Sequence, residues 1–247
     1  MKLDYLAFAA HPDDVELSMG GTIAKLTQAG KKVGIIDLTK GEMGSRGNVE
    51  TRAIEAAKSA EILKLNVRDN LGLSDSQLQS DRASQLPLIK ALRKYRPTIV
   101  FINAPDDRHP DHGNGCTLQV EAVFYAGLRK IKTLDEDGQP QDTWRPSHIM
   151  HYMQDRPFEP SFIMDVSSTF DKRLASIQAF STQFNVKDPT NEPATYISSP
   201  RYFQQIEARA RFYGHIIGAE FGEPFLYHKG AIPISDFDFL EKNAPLR

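Results

Sequence analysis

Apolar runs of strand length alternate with helix-length amphipathic segments through the first two-thirds of the chain. No other feature constrains the fold as much. Leu3–Ala10, Val33–Thr39 and Thr98–Asn103 read as buried strands, and Asn66–Leu71 as a weaker one. Met19–Ala29, Glu50–Leu65, Ser84–Tyr95 and Gly115–Lys130 read as the helices that follow them, with Gly30 ending the first and Pro97 stopping the third. Alternation of this kind predicts an α/β fold with a mostly parallel sheet and helices on both faces. Ligands of such sheets sit beyond the carboxyl ends of the strands.

Beyond Leu134 the rhythm changes. A polar, turn-rich loop covers Asp135–Arg145. His148–Met153 and Ser161–Val166 then read as strands, and Ser167–Phe184 and Pro200–Gly214 as helices. Asn185–Ser199 between those helices is a long loop, and loops of that length in a compact domain tend to be functional or to form interfaces. The chain shows no repeat and no low-complexity tract, so residues 1–247 are expected to form one domain with an elaborated C-terminal third.

Composition narrows the function classes. Charged residues make up 25% of the 247 and the net charge is −2, which excludes a strongly basic nucleic-acid footprint. Cys116 is the single cysteine, so neither a disulfide framework nor a cysteine-rich zinc site can form. The first apolar run is short for a signal peptide and carries Asp4, and no run of about 18 apolar residues is present. A cytoplasmic protein without membrane partners is expected.

Two polar clusters carry the chemistry. Ala10-His11-Pro12-Asp13-Asp14 follows the first strand directly, and Asp106-Asp107-Arg108-His109-Pro110-Asp111-His112 follows the TIVFIN strand. In a parallel sheet both fall on the same edge. Imidazole nitrogen and carboxylate oxygen together suit zinc and other borderline divalent ions. His11, Asp14 and His112 would supply three ligands and leave a position open for water. Asp13 would remain beside the ion as a general base, and His109 with Asp111 as an imidazole oriented by a carboxylate. The plain alternative for Asp13 or Asp14 is a helix cap. A dinucleotide site is disfavoured, because the first strand leads into HPDD and not into a G-x-G-x-x-G turn, and carboxylates there would repel a pyrophosphate.

AHPDD with Glu16 and Gly20-Gly21, together with HPDH at His109–His112, resembles the signature of the PIG-L/LmbE-like family of metal-dependent N-acetylglucosaminyl deacetylases. DLTKGEMGSRG (Asp37–Gly47), TRAIEA (Thr51–Ala56), NLGLSD (Asn70–Asp75), DRHPDHGNG (Asp107–Gly115) and IEARARFYG (Ile206–Gly214) look most like its bacillithiol-pathway branch, which acts on N-acetylglucosaminyl L-malate. The resemblance implies a Rossmann-like three-layer sandwich and a homo-oligomer, a hexamer among close relatives. It implies zinc, or iron or another divalent metal, on His11, Asp14 and His112. It places the base at Asp13 and the second catalytic pair at His109 and Asp111.

The resemblance also places Arg52 and Arg108 near the sugar and an acidic aglycone, where a guanidinium fork suits carboxylates. Asp75 falls where sugar hydroxyls are held. Glu42, Ser45 and Arg46 lie in a Gly-punctuated loop after the second strand that is expected to line the pocket and meet substrate, and Tyr202 matches a family tyrosine near the substrate. Plainer roles stand beside these: Arg52 could pair with Glu55, Asp75 could cap a turn, and Tyr202 could pack a core or interface. Other readings are a deacetylase of a different GlcNAc conjugate or chitooligosaccharide, and a non-catalytic metal- or sugar-binding protein.

Overall fold

Alternate residues of the central strands are buried on opposite faces, and this decides the layering. The computed structural model describes residues 1–184 and 193–234. Its strands are β1 (Tyr5–Ala9), β2 (Val33–Thr39), β3 (Val67–Leu73), β4 (Ile99–Ile102), β5 (His148–Tyr152), β6 (Phe162–Asp165) and β7 (Gly222–Tyr227). They form one sheet in the order β3-β2-β1-β4-β5-β7-β6. The first five run parallel, and β7 lies antiparallel between β5 and β6.

Leu6 and Phe8 of β1, Ile36 and Leu38 of β2, and Val100 and Ile102 of β4 face a core closed by α3 (Arg82–Tyr95) and α4 (Pro110–Ala126). Ala7, Ala9, Ile35 and Phe101 face the other way, onto Val15, Met19 and Ile23 of α1 (Asp14–Gln28). On that side α2 (Val49–Leu63) and α5 (Phe170–Gln178) pack beside α1. A satellite cluster joins Ala56 of α2 and Ile177 of α5 to Tyr202 and Ile206 of α6 (Pro200–Ile216). The expected α/β sandwich with its mostly parallel sheet is therefore present. Among the described residues no helix is long and apolar enough to cross a membrane.

Four elements differ from the sequence reading, each for a tertiary reason. Helix α1 begins at Asp14, not Met19. Met19 instead marks a kink with non-helical angles (φ −146°, ψ 23°). The N–H groups freed by that kink are taken by the wholly buried Glu223, which accepts from Gly21 N (2.9 Å), Thr22 N (2.7 Å) and Thr22 Oγ1 (2.6 Å). A Cβ on Gly21 would lie 2.9 Å from Glu223 Oε1, so this close approach needs glycine. Helix α4 begins at Pro110, not Gly115, because Pro110 sits at its first turn and the His109 side chain caps it. It stops at Ala126 where Gly127 caps it, short of the expected Lys130.

Helix α5 ends at Gln178 instead of Phe184. Glu55 captures Thr182 N (2.7 Å), Thr182 Oγ1 (2.9 Å) and Ser181 Oγ (3.1 Å), holding that segment in turns. Strand β7 has no counterpart in the sequence reading. Within it Glu223 is drawn in by the α1 kink and Pro224 pairs with Ile163.

Removing a buried carboxylate that holds three donors and faces the buried Arg173 guanidinium at 3.4 Å leaves them and that charge unpaired. Glu223→Ala is expected to lower the unfolding free energy by roughly 3–5 kcal/mol, read as a reduced urea midpoint with an unchanged slope.

Candidate active site

The strand order places β1 between β2 and β4, and the chain turns to opposite sides after β1 and after β3. That switch point opens a crevice between the carboxyl ends of β1 and β4, which are paired in parallel through Tyr5↔Ile99 and Ala7↔Phe101. His11–Asp14 leaves one strand and Asp107–His112 leaves the other. Residues far apart in sequence therefore meet on one edge.

The rings of His11, His109 and His112 lie with centroids 4.6, 5.1 and 5.5 Å apart. Asp14 stands between two of them, Oδ1 being 3.1 Å from His112 Nε2 and Oδ2 3.7 Å from His11 Nδ1. Two ligands about 2.1 Å from one tetrahedral ion stand roughly 3.4 Å apart, close to each of these distances, although they involve different oxygens of Asp14. One nitrogen from each of His11, His109 and His112 also falls within 4.8 Å of the others, as do ligand atoms of His11, Asp75 and Asp111. His11 Nε2 is 3.1 Å from Asp75 Oδ1 and 3.5 Å from Asp111 Oδ2. The donor chemistry fits a divalent ion.

Charge explains how so many polar groups tolerate burial. Desolvation opposes protonation of His11, but hydrogen bonds to Asp111 and Asp75 and the charge of Asp14 outweigh it and push the pKa to about 10. His112 is likewise desolvated, yet Asp14 and Asp107 raise it to about 9. Asp14 is held well below the usual carboxylate range, the neighbouring imidazoles overcoming its burial. The carboxylates thus create a strongly cation-favouring field, which a metal ion can satisfy in place of protons.

Asp13 behaves differently. It occupies the cap position of α1 but makes no side-chain cap bond, and its backbone is left-handed (φ 113°). The capping alternative therefore falls, and strain of this kind is commonly stored at functional sites. Burial pushes its pKa up to about 7, with Arg52 opposing and Asp14 adding to the rise. Arg52 Nη2 holds Asp13 Oδ2 at 2.9 Å and also binds the Pro12 carbonyl. Its partner is thus Asp13, while Glu55 serves the α5 end. A Cβ on Gly41 (φ 66°) would come within 2.5 Å of Arg52 Nη1, so the turn after β2 needs glycine there.

The second pair is arranged otherwise than expected. His109 Nδ1 accepts from the backbone N–H of Asp111 (3.2 Å), while the Asp111 carboxylate turns to Ser76 N (2.7 Å) and His11. Asp111 orients His109 through its main chain, because its side chain is claimed by the turn after β3. Burial and the adjacent His11 and His112 lower the pKa of His109.

His11, Asp13, Asp14, Arg52, Asp75, Arg108, His109, His112 and Tyr202 all line one cleft of about 330 Å³, within the usual ligand range of about 300–1,000 Å³. Asp75 also accepts from Met43 N, so it joins its turn to the loop after β2. Glu42 and Arg46 do not line this cleft. Glu42 is drawn away to accept from Asp75 N (2.9 Å), and Arg46 donates to the carbonyls of Thr182 and Pro193. Both shape the wall from behind it.

The sequence reading misses several residues. Asp107 Oδ2 lies 2.5 Å from His112 Nδ1 and fixes which nitrogen faces the cleft, a role its place in the motif could have suggested. Asn103 donates to Gln154 (3.0 Å) and to Asp14 (3.4 Å). Gln154, Asp155, Gln183 and Tyr196 reach the cleft from the C-terminal third without any local motif, and Arg209 reaches it from within the IEARARFYG stretch, where the resemblance assigned it no role. Residues 185–192 of the expected Asn185–Ser199 loop lie outside the described residues, but Thr195, Tyr196 and Ile197 line the cleft.

Residues 6–123, which carry both clusters, match the family model described as PIG-L, GlcNAc-PI de-N-acetylase. Diacetylchitobiose deacetylase of Thermococcus kodakarensis is 31% identical over 189 residues, covering 72% of this chain and 69% of that protein. The chain belongs to the PIG-L family. Among solved structures, this PIG-L protein resembles the conserved protein TT1542 from Thermus thermophilus. The TM-score is 0.82 at 36% identity, over 94% of this chain and 98% of that one. N,N'-diacetylchitobiose deacetylase from Pyrococcus horikoshii, complexed with its inhibitor MPG, follows the same fold. There the TM-score is 0.77 at 27% identity, over 96% and 88% of the two chains.

Orienting carboxylates typically contribute about 10–100-fold to metal affinity. If the donor set holds a divalent ion, Asp107→Ala should weaken its binding by that order in competition with a chromogenic chelator. His112→Ala should leave the purified protein without stoichiometric metal by elemental analysis.

Proposed function

We propose that this PIG-L protein is a metal-dependent amide hydrolase that removes the N-acetyl group from a GlcNAc conjugate, with zinc or another divalent ion as cofactor. The observation that carries this reading is Asp13: a strained, buried carboxylate with a raised pKa, next to a His/Asp donor set and not spent on capping.

His11, Asp14 and His112 would hold the ion. A divalent ion there supplies Lewis acidity, polarising the acetamide carbonyl and lowering the pKa of water. Asp13 takes a proton from the attacking water. Its Oδ2 is fixed by Arg52, while Oδ1 has no hydrogen-bond partner among the described residues. A base with a pKa near 7 accepts that proton at neutral pH and can return it. Because His109 Nδ1 accepts from a backbone N–H, the neutral ring carries its proton on Nε2. That N–H donates to the oxygen on which negative charge develops. Asp13 then passes its proton to the departing amine, and acetate and a free glucosamine unit leave.

For the conjugate we propose N-acetylglucosaminyl L-malate. The stretches resembling the bacillithiol-pathway branch, and Arg209 in the cleft with no carboxylate partner among the described residues, support an acidic aglycone. The identity to a diacetylchitobiose deacetylase favours a second reading, in which the aglycone is another amino sugar.

Asp13→Asn should retain metal but lose about 10²–10⁴ in kcat, measured as free amine released from GlcNAc-malate, GlcNAc and diacetylchitobiose. Near wild-type turnover by this variant would remove Asp13 as the base. Preference for diacetylchitobiose over the malate conjugate would favour the second reading.

A further inference from the structure

The cleft walls have different origins. The donor set and Asp13 come from the segment that matches the family model, while the facing wall comes from the C-terminal third, through Gln154, Gln183, Tyr196, Tyr202 and Arg209. Three arginines enter the cleft, and their charges are in different states. Arg52 is paired with Asp13 at 2.9 Å. Arg108 is paired with Asp155 at 3.1 Å and lies over the Tyr196 ring at 4.5 Å.

Arg209, on α6, is the exception. It is half-buried, and its hydrogen bond runs from Nη1 to the main-chain carbonyl of Gln154, a neutral acceptor. Among the described residues no carboxylate lies within ion-pair distance of it, and its Nε–Nη2 edge has no partner. A half-buried guanidinium without a counter-charge, its free edge open to the cleft, favours a ligand anion. The unused edge has the fork geometry that takes a carboxylate bidentately. Tyr202 stands two helical turns earlier on the same helix and lines the same cleft, its ring 5.1 Å from that of Tyr196. An aromatic wall ending in an uncompensated cation suits a sugar with an anionic substituent.

We infer that Arg209 is the residue that selects the substrate, by binding a singly charged anionic group, carboxylate or phosphodiester, on the aglycone. This rests on the deacetylase reading and deepens it. Arg52 and Arg108 then act chiefly through their internal partners, the first positioning Asp13 and the second holding Asp155 and Tyr196 in the wall.

The test compares GlcNAc-L-malate, its uncharged dimethyl ester and a GlcNAc phosphodiester, using metal-loaded wild type, Arg209→Gln and Arg209→Lys. The Gln variant keeps a donor for the Gln154 carbonyl, and the Lys variant keeps the charge. Wild type should favour an anionic substrate over the ester in kcat/KM by about tenfold or more, the usual worth of a charge-assisted hydrogen bond. That ratio should collapse towards one in Arg209→Gln, through KM and not kcat, and be partly kept in Arg209→Lys. Whether the malate conjugate or the phosphodiester shows the larger ratio identifies the anion.

An equal loss on charged and uncharged substrates in Arg209→Gln would overturn the assignment, since a merely structural role would act through Gln154, whose Nε2 lies 2.9 Å from His112 Nδ1. So would an unchanged ratio. Calorimetric binding of the deacetylated products, glucosaminyl-L-malate and its dimethyl ester, reads the same preference without turnover. A protein that binds the anionic product more tightly through Arg209 but hydrolyses none of the substrates would overturn the deacetylase reading and uphold this one. Equal binding of both products by wild type would overturn this one.

Discussion

Parallel pairing of β1 with β4 is the contact on which the site depends. Neighbouring strands lie about 4.8 Å apart, so the segments leaving their carboxyl ends start within side-chain reach of each other. Each segment runs at once into a helix. Asp14 is the first residue of α1 and Asp111 the second of α4, so both carboxylates also face the positive end of a helix. Any other neighbour for β1 would have separated His11 and Asp14 from His112.

Such a concentration of buried charge needs support from beneath, and α1 is fastened in both of its halves. Its first segment is held by Glu16, which accepts from Ser59 Oγ (2.6 Å) and from Arg68 Nη1 (2.5 Å). Arg68 in turn grips Asp37 of β2 with two bonds of 2.9 Å. Burial still pushes the Asp37 pKa up to about 6 against the pull of Arg68. The second segment is held by Glu223 on β7. Between the two lies the kink at Met19, and ahead of them the left-handed Asp13. The local strain at Asp13 is thus sustained by a helix that cannot shift to relieve it.

The division of labour in the cleft follows the same architecture. Strand-end segments provide reactive groups on a rigid base. The C-terminal third crosses over them through Gln154, Tyr196, Tyr202 and Arg209. Arg46 and Glu42 clasp one loop to another, while Met43, Gly44 and Ser45 between them line the cleft.

By itself the sequence determined the alternating sheet, the two polar clusters at strand ends and the kind of chemistry their donors suit, because strand periodicity and motif spacing are local properties. Only the tertiary structure decided that Arg52 belongs to Asp13, that Asp111 works through its main chain towards His109, and that α1 and α4 begin early enough to carry Asp14 and His112. It also decided that Gly222–Tyr227 becomes a strand and that Arg209 enters the cleft without a counter-charge. Each of these depends on which groups compete for one donor or acceptor when distant segments are buried together. That competition has no signature along the chain.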